Sequence, residues 1–279
     1  MKGFPKDHTP KNPDIFLLVR IELENWNRLA EFERNGVTLV DTFEDQTKLQ
    51  LIVGGKSERD QLVYNFWRFR AQEPRNANQE EPAIGGVRDL LPAMGRVNDI
   101  AEYGPVDDLV RLESQDLVGE FSTTGRLGDP ELPAFELNPD QKLYYVLFEY
   151  DIGSGESGTL AFKLRAYLVD LEIETGWRCV YTCFPMTGKL TRYVQIFAFA
   201  SSNEGAALDA EVAEFEEGIR WERPVRSTLL EPTLYSPALA ALEEASDDPD
   251  GPNGGEDSGG KIASVRQLYT ADLRSKVGT

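Results

Sequence analysis

Histidine is almost absent from this chain. The single one in 279 residues is His8, within the polar opening stretch MKGFPKDHTPKNP. A Ser-His-Asp or Cys-His nucleophile needs an imidazole within hydrogen-bond reach. Zinc, non-haem iron and proximal-His haem sites also draw on histidine. One terminal histidine is a poor basis for any of them, so no metal and no cofactor is expected. Cysteine is nearly as scarce, with only Cys179 and Cys183. Four apart in a predicted strand, they share a face but lie ~13 Å apart at ~3.3 Å per residue. A disulfide needs Cα atoms within ~7 Å, so the pair reads as packing thiols in a reducing cytoplasm.

Positive charge is also in short supply: 29 Lys and Arg stand against 48 Asp and Glu, a formal net charge of −19. Such a chain repels phosphate backbones and anionic membranes, so neither nucleic acid nor a membrane is an expected partner. No run of ~18 apolar residues occurs. Met1 to Pro13 lacks the apolar core of a secretion signal, and a cytoplasmic protein is expected. A phosphate loop is missing too: Gly153-Ser154-Gly155 is too short and reads as a turn before a helix. What the chain does have is 41% hydrophobic and 10% aromatic residues. At this length that is enough for roughly two cores of ~100–150 residues.

The apolar pattern has an order that repeats. Ile15 to Leu23 alternates as a strand, with Ile15, Leu17, Val19, Ile21 and Leu23 on one face and Phe16, Leu18, Arg20 and Glu22 on the other. Asn25 can cap a short helix that Gly36 would end. Val37 to Val53 reads as β-rich, and Gly54 to Glu58 as a turn. Leu62 to Phe69 is the next strand. Apolar residues from Ile84 to Ile100 recur at helical spacing, and Asp108 to Phe121 closes the unit as a strand. The order begins again with a strand over Leu143–Asp151 and a helical stripe at Leu160, Leu164, Tyr167, Leu168 and Leu171 that Gly176 ends. Strands over Trp177–Phe184 and Arg192–Ala200 follow, then a stripe at Leu208, Val212, Phe215 and Ile219, and a strand over Val225–Tyr235.

This is β-α-β-β-α-β twice, the split βαβ arrangement. The fold class expected is α+β: two tandem ferredoxin-like repeats whose open sheet faces meet to form an intramolecular barrel of the dimeric α+β type. The expected organisation is a flexible N-terminus (1–13), a first repeat (14–122), a linker (123–140) and a second repeat (141–237). An acidic disordered linker (238–261) and a short C-terminal segment (262–279) complete it. The acidic linker, which ends in EEASDDPDGPNGGEDSGGK (243–261), is too polar to offset its ordering entropy. The last segment reads either as a frayed tail or as a short docking helix, on the chain itself or on a protein partner. A barrel closed within one chain predicts a monomeric pseudo-dimer, with homodimerisation as the other expectation.

Several stretches of the second repeat resemble the NIPSNAP family of the dimeric α+β barrel superfamily. They are Tyr150 to Gly155, Glu174 to Trp177, Thr187 to Phe197 (TGKLTRYVQIF), and Leu229 to Pro237 (LLEPTLYSP). Val63 to Phe69 carries a weaker likeness in the first repeat. The resemblance spans most of Asp14 to Pro237 and implies the fold. It implies no single reaction, because that superfamily includes cofactor-free monooxygenases, cyclases, isomerases, dehydratases, haem enzymes and proteins that only bind. Where the family's third strand often carries a histidine two residues before an aromatic, this chain has Asn65 before Trp67 and Gln195 before Phe197. A neutral amide can orient a ligand but cannot shuttle protons near pH 7.

Aligning the first strands of the two repeats matches Phe16 with Tyr145, Arg20 with Glu149, and Glu22 with Asp151. With Asn65, Trp67, Gln195 and Phe197 from the third strands, these are expected to line the barrel interior as a small-molecule pocket. Glu22, Glu149 and Asp151 are the candidate acid/base groups. Phe16, Arg20, Asn65, Trp67, Tyr145, Gln195 and Phe197 are the candidate ligand-binding groups. Two readings stand: a cofactor-independent enzyme of isomerase, cyclase, dehydratase or monooxygenase type, and a non-catalytic binding or scaffold protein that uses the barrel and its tethered terminal segment. Equally open is that the charged residues form ion pairs at the sheet rim and that the aromatics are simply core. A slip of one residue in register would turn every side chain of a strand to the opposite face. Haem held by a ligand other than histidine is a third option.

Overall fold

The computed structural model describes residues 15–47, 49–69, 110–121, 137–153, 156, 163, 168 and 170–237. The chain divides into two compact units, Met1–Ser236 and Pro237–Thr279. The expectations for 1–13, for most of the linker over 123–140, for the helix over 84–100 and for the two segments beyond 237 fall outside the described residues.

The strands are β1 (Ile15–Leu23), β2 (Leu49–Ser57), β3 (Leu62–Phe69), β4 (Val110–Glu120), β5 (Lys142–Asp151), β6 (Arg178–Pro185), β7 (Arg192–Ser201) and β8 (Arg226–Pro232). Helix α1 covers Leu29–Thr47 and α2 covers Ala206–Gly218. Residues 170–175 are helical and end at Gly176, whose φ of 75° is the left-handed conformation that glycine adopts without strain. The eight strands form one closed antiparallel barrel in the order β1-β3-β2-β8-β5-β7-β6-β4. Within it, β4-β1-β3-β2 and β8-β5-β7-β6 are half-sheets of identical strand order.

Each half-sheet turns one face to helices. Outside the first half, Leu17, Val19, Leu49, Leu51, Val63 and Trp67 pack with Phe32 and Val40 of α1. Outside the second, Tyr144, Val146, Phe148, Phe197 and Phe199 pack with Leu208, Val212 and Phe215 of α2. Trp177 lies in parallel between Phe199 at 3.9 Å and Phe215 at 3.7 Å. The opposite faces look into the barrel.

The two halves meet along short seams. In register, β2 and β8 pair at Gly55–Pro232 and Lys56–Glu231, and β4 and β6 at Val118–Pro185, Gly119–Phe184 and Glu120–Cys183. The chain after β8 extends the first seam across to α1. Thr233 donates its backbone N–H to Gly54 O at 2.9 Å, and the Tyr235 hydroxyl donates to Asn65 Oδ1 at 3.1 Å. The Tyr235 ring fills the space above Gly36 and Gly54. A Cβ on Gly36 would lie 2.4 Å from Tyr235 Cδ1, and one on Gly54 would lie 2.5 Å from Thr233 Oγ1.

That packing corrects the reading of the segment between β1 and β2. Gly36 does not end the helix, and α1 continues to Thr47, so of the stretch Val37–Val53 expected to be β-rich only Leu49–Val53 is strand. Asn25 caps the 3-10 turn Trp26–Arg28 that leads into α1, accepting from Asn27 N at 3.0 Å. The apolar spacing Leu29, Phe32, Val37, Val40 continues the helical period straight through the glycine. Gly54 and Gly55 lie within β2 rather than in a turn, and the turn falls at residues 58–61. Here the glycines make room for neighbours; they do not break the elements that contain them.

Gly36→Ala should therefore reverse sign with its background. In a helix interior the change ordinarily stabilises by about 0.5–1 kcal/mol. Beneath the Tyr235 ring it should instead destabilise by about 1–3 kcal/mol, as overpacking does. In a Tyr235→Ala background it should become neutral or stabilising. Urea unfolding of the four members of this cycle measures the coupling.

Candidate functional site

Along β1 the interior-facing residues run Phe16, Leu18, Arg20 toward one mouth of the barrel, and they change from apolar to charged along the way. Phe16 stacks on Phe66 of β3 with ring centroids 4.7 Å apart, and Tyr181 of β6 lies 4.4 Å from Phe16 and 6.2 Å from Phe66. These three rings, drawn from both half-sheets, fill the middle of the barrel. Tyr145 is fully buried in β5, opposite Ala198 and Leu230.

Above the aromatic layer lies a cluster of charges. The Arg20 guanidinium donates to Asp116 Oδ2 at 2.6 Å, Ser114 Oγ at 3.1 Å and Glu149 Oε1 at 3.1 Å. Its centre lies 5.9 Å from the Tyr64 ring centroid. Glu149 is 7% exposed at its side chain and has two further guanidiniums nearby, Arg192 Nη1 at 3.8 Å from Oε1 and Arg226 Nε at 3.9 Å from Oε2. Arg226 also crosses the seam, donating to Asp60 Oδ2 at 3.0 Å and to the Tyr64 hydroxyl at 3.3 Å. Burial raises the Tyr64 phenol above its ordinary pKa, against the opposing pull of Arg226. At the rim, Asp151 is held by Lys189 and by Thr191 Oγ1, which donates at 2.6 Å. Those contacts, Lys189 first, keep its carboxyl below the usual range. Glu22 is exposed at the end of β1.

Six of the ten expected site residues thus belong to the barrel interior or its rim: Phe16, Arg20, Glu22, Tyr145, Glu149 and Asp151. The other four face the helices, so their expected inward placement is corrected. Trp67 belongs to the core under α1, and Asn65 accepts from Tyr235. Phe197 packs edge-on against Phe148, Trp177 and Phe215. Gln195 accepts from the Tyr150 hydroxyl at 3.0 Å and donates to Thr182 Oγ1 at 2.8 Å. The third strands are buried on both faces, so polarity does not reveal which face looks inward. The residues that do look inward there are Tyr64 and Phe66 in β3, and Val194 and Ile196 in β7. Asp116, Arg192 and Arg226 were not anticipated: Arg192 and Arg226 open their strands and Asp116 lies in a polar one, so no local pattern marks them.

The cysteines also part company. A bulge between Cys179 and Tyr181 reverses the alternation of β6. Cys179 joins the helix-side core, and Cys183 pairs in register with Glu120 and Val194. Both are buried thiols outside any disulfide, and burial pushes the Cys179 thiol far above its ordinary pKa. A separate pocket of about 360 Å³ lies outside the barrel wall, above Trp177, Phe215 and Trp221, with Asp170, Glu174 and Glu214 in its lining. Among the described residues no group of three or more His, Cys, Asp or Glu could hold a metal, and no helix is long and apolar enough to cross a membrane.

No protein-family model matches the chain, and no curated protein matches it. Among solved structures, one from Lactobacillus acidophilus, provisionally named a monooxygenase, is 14% identical; the match covers 78% of this chain and 93% of that one, with a TM-score of 0.45. Another provisional monooxygenase, from Fusobacterium nucleatum, is 8% identical, with 80% and 94% covered and a TM-score of 0.49. A mutant chlorite dismutase from Candidatus Nitrospira defluvii in complex with cyanide is 11% identical, with 83% and 94% covered and a TM-score of 0.47. Likenesses at this level carry no functional inference. The strand order itself defines the class: a mixed α+β fold around a closed antiparallel eight-stranded barrel.

Two outcomes follow from the charges. Arg20→Leu removes the hydrogen-bonded partner of both Asp116 and Glu149, leaves Glu149 only the longer contacts with Arg192 and Arg226, and should cost about 3 kcal/mol, the lower end for breaking a buried pair. Glu149→Leu leaves Arg20 its bond to Asp116 and should cost less; urea unfolding ranks the two. Because the folded pKa of Asp151 is depressed, its contribution to stability is present above the ordinary Asp pKa and is lost as pH falls below about 4. Asp151→Asn should flatten that part of the stability–pH curve, read by thermal unfolding between neutral and acid pH.

Proposed function

We propose that this chain is a small-molecule-binding barrel, and that the ligand meets the protein at the mouth around Glu149. One observation carries the reading: three guanidiniums from β1, β7 and β8 surround a single buried carboxylate at the open end of the barrel. Charged groups gathered over an aromatic floor are the usual means of orienting a small, partly apolar ligand. We read the chain as a duplicated, NIPSNAP-like member of the dimeric α+β barrel superfamily, a reading supported by the identical strand order of its half-sheets. On that reading it works as a cytoplasmic monomer without a cofactor.

The second reading is cofactor-independent catalysis, of isomerase, cyclase, dehydratase or monooxygenase type, with Glu149 as the acid/base and Arg20 orienting the substrate. The burial of Glu149, which shares Arg20 and Arg226 with the Tyr64 phenol, favours it. Against it, Glu149 Oε1 is engaged by Arg20, and Asp151 is engaged by Lys189 and Thr191. The binding reading therefore comes first.

Native mass spectrometry before and after incubation with a small-molecule cell extract tests both readings. A retained mass that Arg226→Gln removes is the expected result; Arg226 is partly exposed, so the fold should survive the change. If the released compound is recovered unchanged, the protein binds; if it is recovered converted, the catalytic reading replaces the first. A retained mass indifferent to Arg226 and Glu149 variants would move the site away from the mouth.

A further inference from the structure

The three guanidiniums at the mouth are not equally satisfied. Arg20 makes three side-chain hydrogen bonds, and Arg226 makes two. Arg192 approaches two carboxylates, Glu149 at 3.8 Å and Asp151 at 3.7 Å, both beyond hydrogen-bond distance. Its Nε is buried and has no acceptor, while 29% of the side chain stays open to solvent.

The cause lies in the neighbouring turn. Asp151 and Arg192 stand directly opposite one another in the β5–β7 ladder and would ordinarily pair. Lys189 and Thr191, from the turn just before β7, hold both oxygens of that carboxylate instead. Glu149 is likewise engaged by Arg20. Arg192 is left with charge partners on two sides and no hydrogen-bond acceptor for the edge formed by Nε and an Nη. That edge offers two parallel donors, the geometry that matches a group with two oxygens on one atom.

We infer that Arg192 is the anchor of an oxyanion site at the barrel mouth, and that the ligand presents a carboxylate or a phosphate group to it. The inference rests on the reading of the mouth as the ligand site and names the chemistry that site selects. Arg226, 42% exposed and directly opposite Glu149 in the β5–β8 ladder, closes the other side of the cluster. Lysine at position 192 would keep the charge but not the paired donors, so the site should distinguish Arg from Lys.

Nitrogen-15 spectra of the full chain, titrated with acetate and with phosphate against chloride at equal ionic strength, test this directly. The Arg192 Nε–H resonance, identified by its loss in Arg192→Lys, should shift saturably with an oxyanion and not with chloride. Saturation with acetate alone assigns a carboxylate ligand; saturation with phosphate alone assigns a phosphorylated one; saturation with both supports the oxyanion site without choosing. A response no larger than that to chloride in both arms overturns the inference. Arg192→Lys should weaken binding at least tenfold, read from the anion dependence of the unfolding temperature; unchanged binding would overturn it too. The mass-spectrometric experiment separates this inference from the reading beneath it. A cellular ligand retained equally by Arg192→Gln sinks the oxyanion anchor and leaves the small-molecule barrel standing. Saturable acetate or phosphate binding with no retained cellular ligand supports the anchor and counts against the barrel reading.

Discussion

Closure is the constraint on which the rest of this structure depends. Two four-stranded sheets join at seams where only two and three residue pairs are in register. Backbone pairing that short leaves much of the closure to side chains. At one seam Tyr235 reaches across to α1, and glycines at 36 and 54 leave room for its ring. At the other, Leu117 N donates to Thr187 Oγ1 at 2.8 Å, while its carbonyl accepts from Met186 N at 2.8 Å. Through the interior, Tyr181 touches Phe16 and Phe66, and Arg20 reaches Glu149. The residues that close the barrel and those that make its mouth chemically distinctive are in part the same ones.

This overlap shapes the candidate site. Arg20 and Glu149 lie where solvent is nearly excluded, so each needs the other, and neither is spare for chemistry without a rearrangement. Arg192 and Arg226 lie higher and wetter, and their contacts with Glu149 are longer. A ligand arriving from solvent meets these two first. The buried pair sets the floor, and the outer arginines set what is admitted.

Much of the architecture was legible in the chain. The alternation of β1 separated its helix face from its interior face correctly, because only one face carries Arg20 and Glu22. In β3 and β7 both faces are apolar enough to bury, and the residues chosen as inward, Asn65, Trp67, Gln195 and Phe197, were one step out of register. Gly36, Gly54 and Gly55 read as punctuation because the ring and side chains that need their space, Tyr235, Thr233 and Leu230, come almost two hundred residues later. The shared face of Cys179 and Cys183 was lost to a bulge that no local pattern announces. Pairwise matching of the first strands did find Arg20 and Glu149. It did not find Arg192 or Arg226, which no equivalent position in the first half marks as charged.

The pairing of Arg20 with Glu149 carries a consequence for how such a barrel can be assembled. β1 and β5 hold corresponding places in the two half-sheets, and the two residues hold corresponding places along them. In a dimer of identical halves, a two-fold axis would bring each such residue against its own copy. Arginine would face arginine, or glutamate would face glutamate, within about 3 Å and nearly without water, a repulsion several times larger than in solvent. Opposite charges can meet there only when the halves differ in sequence. In this chain each half supplies a counter-ion to the other.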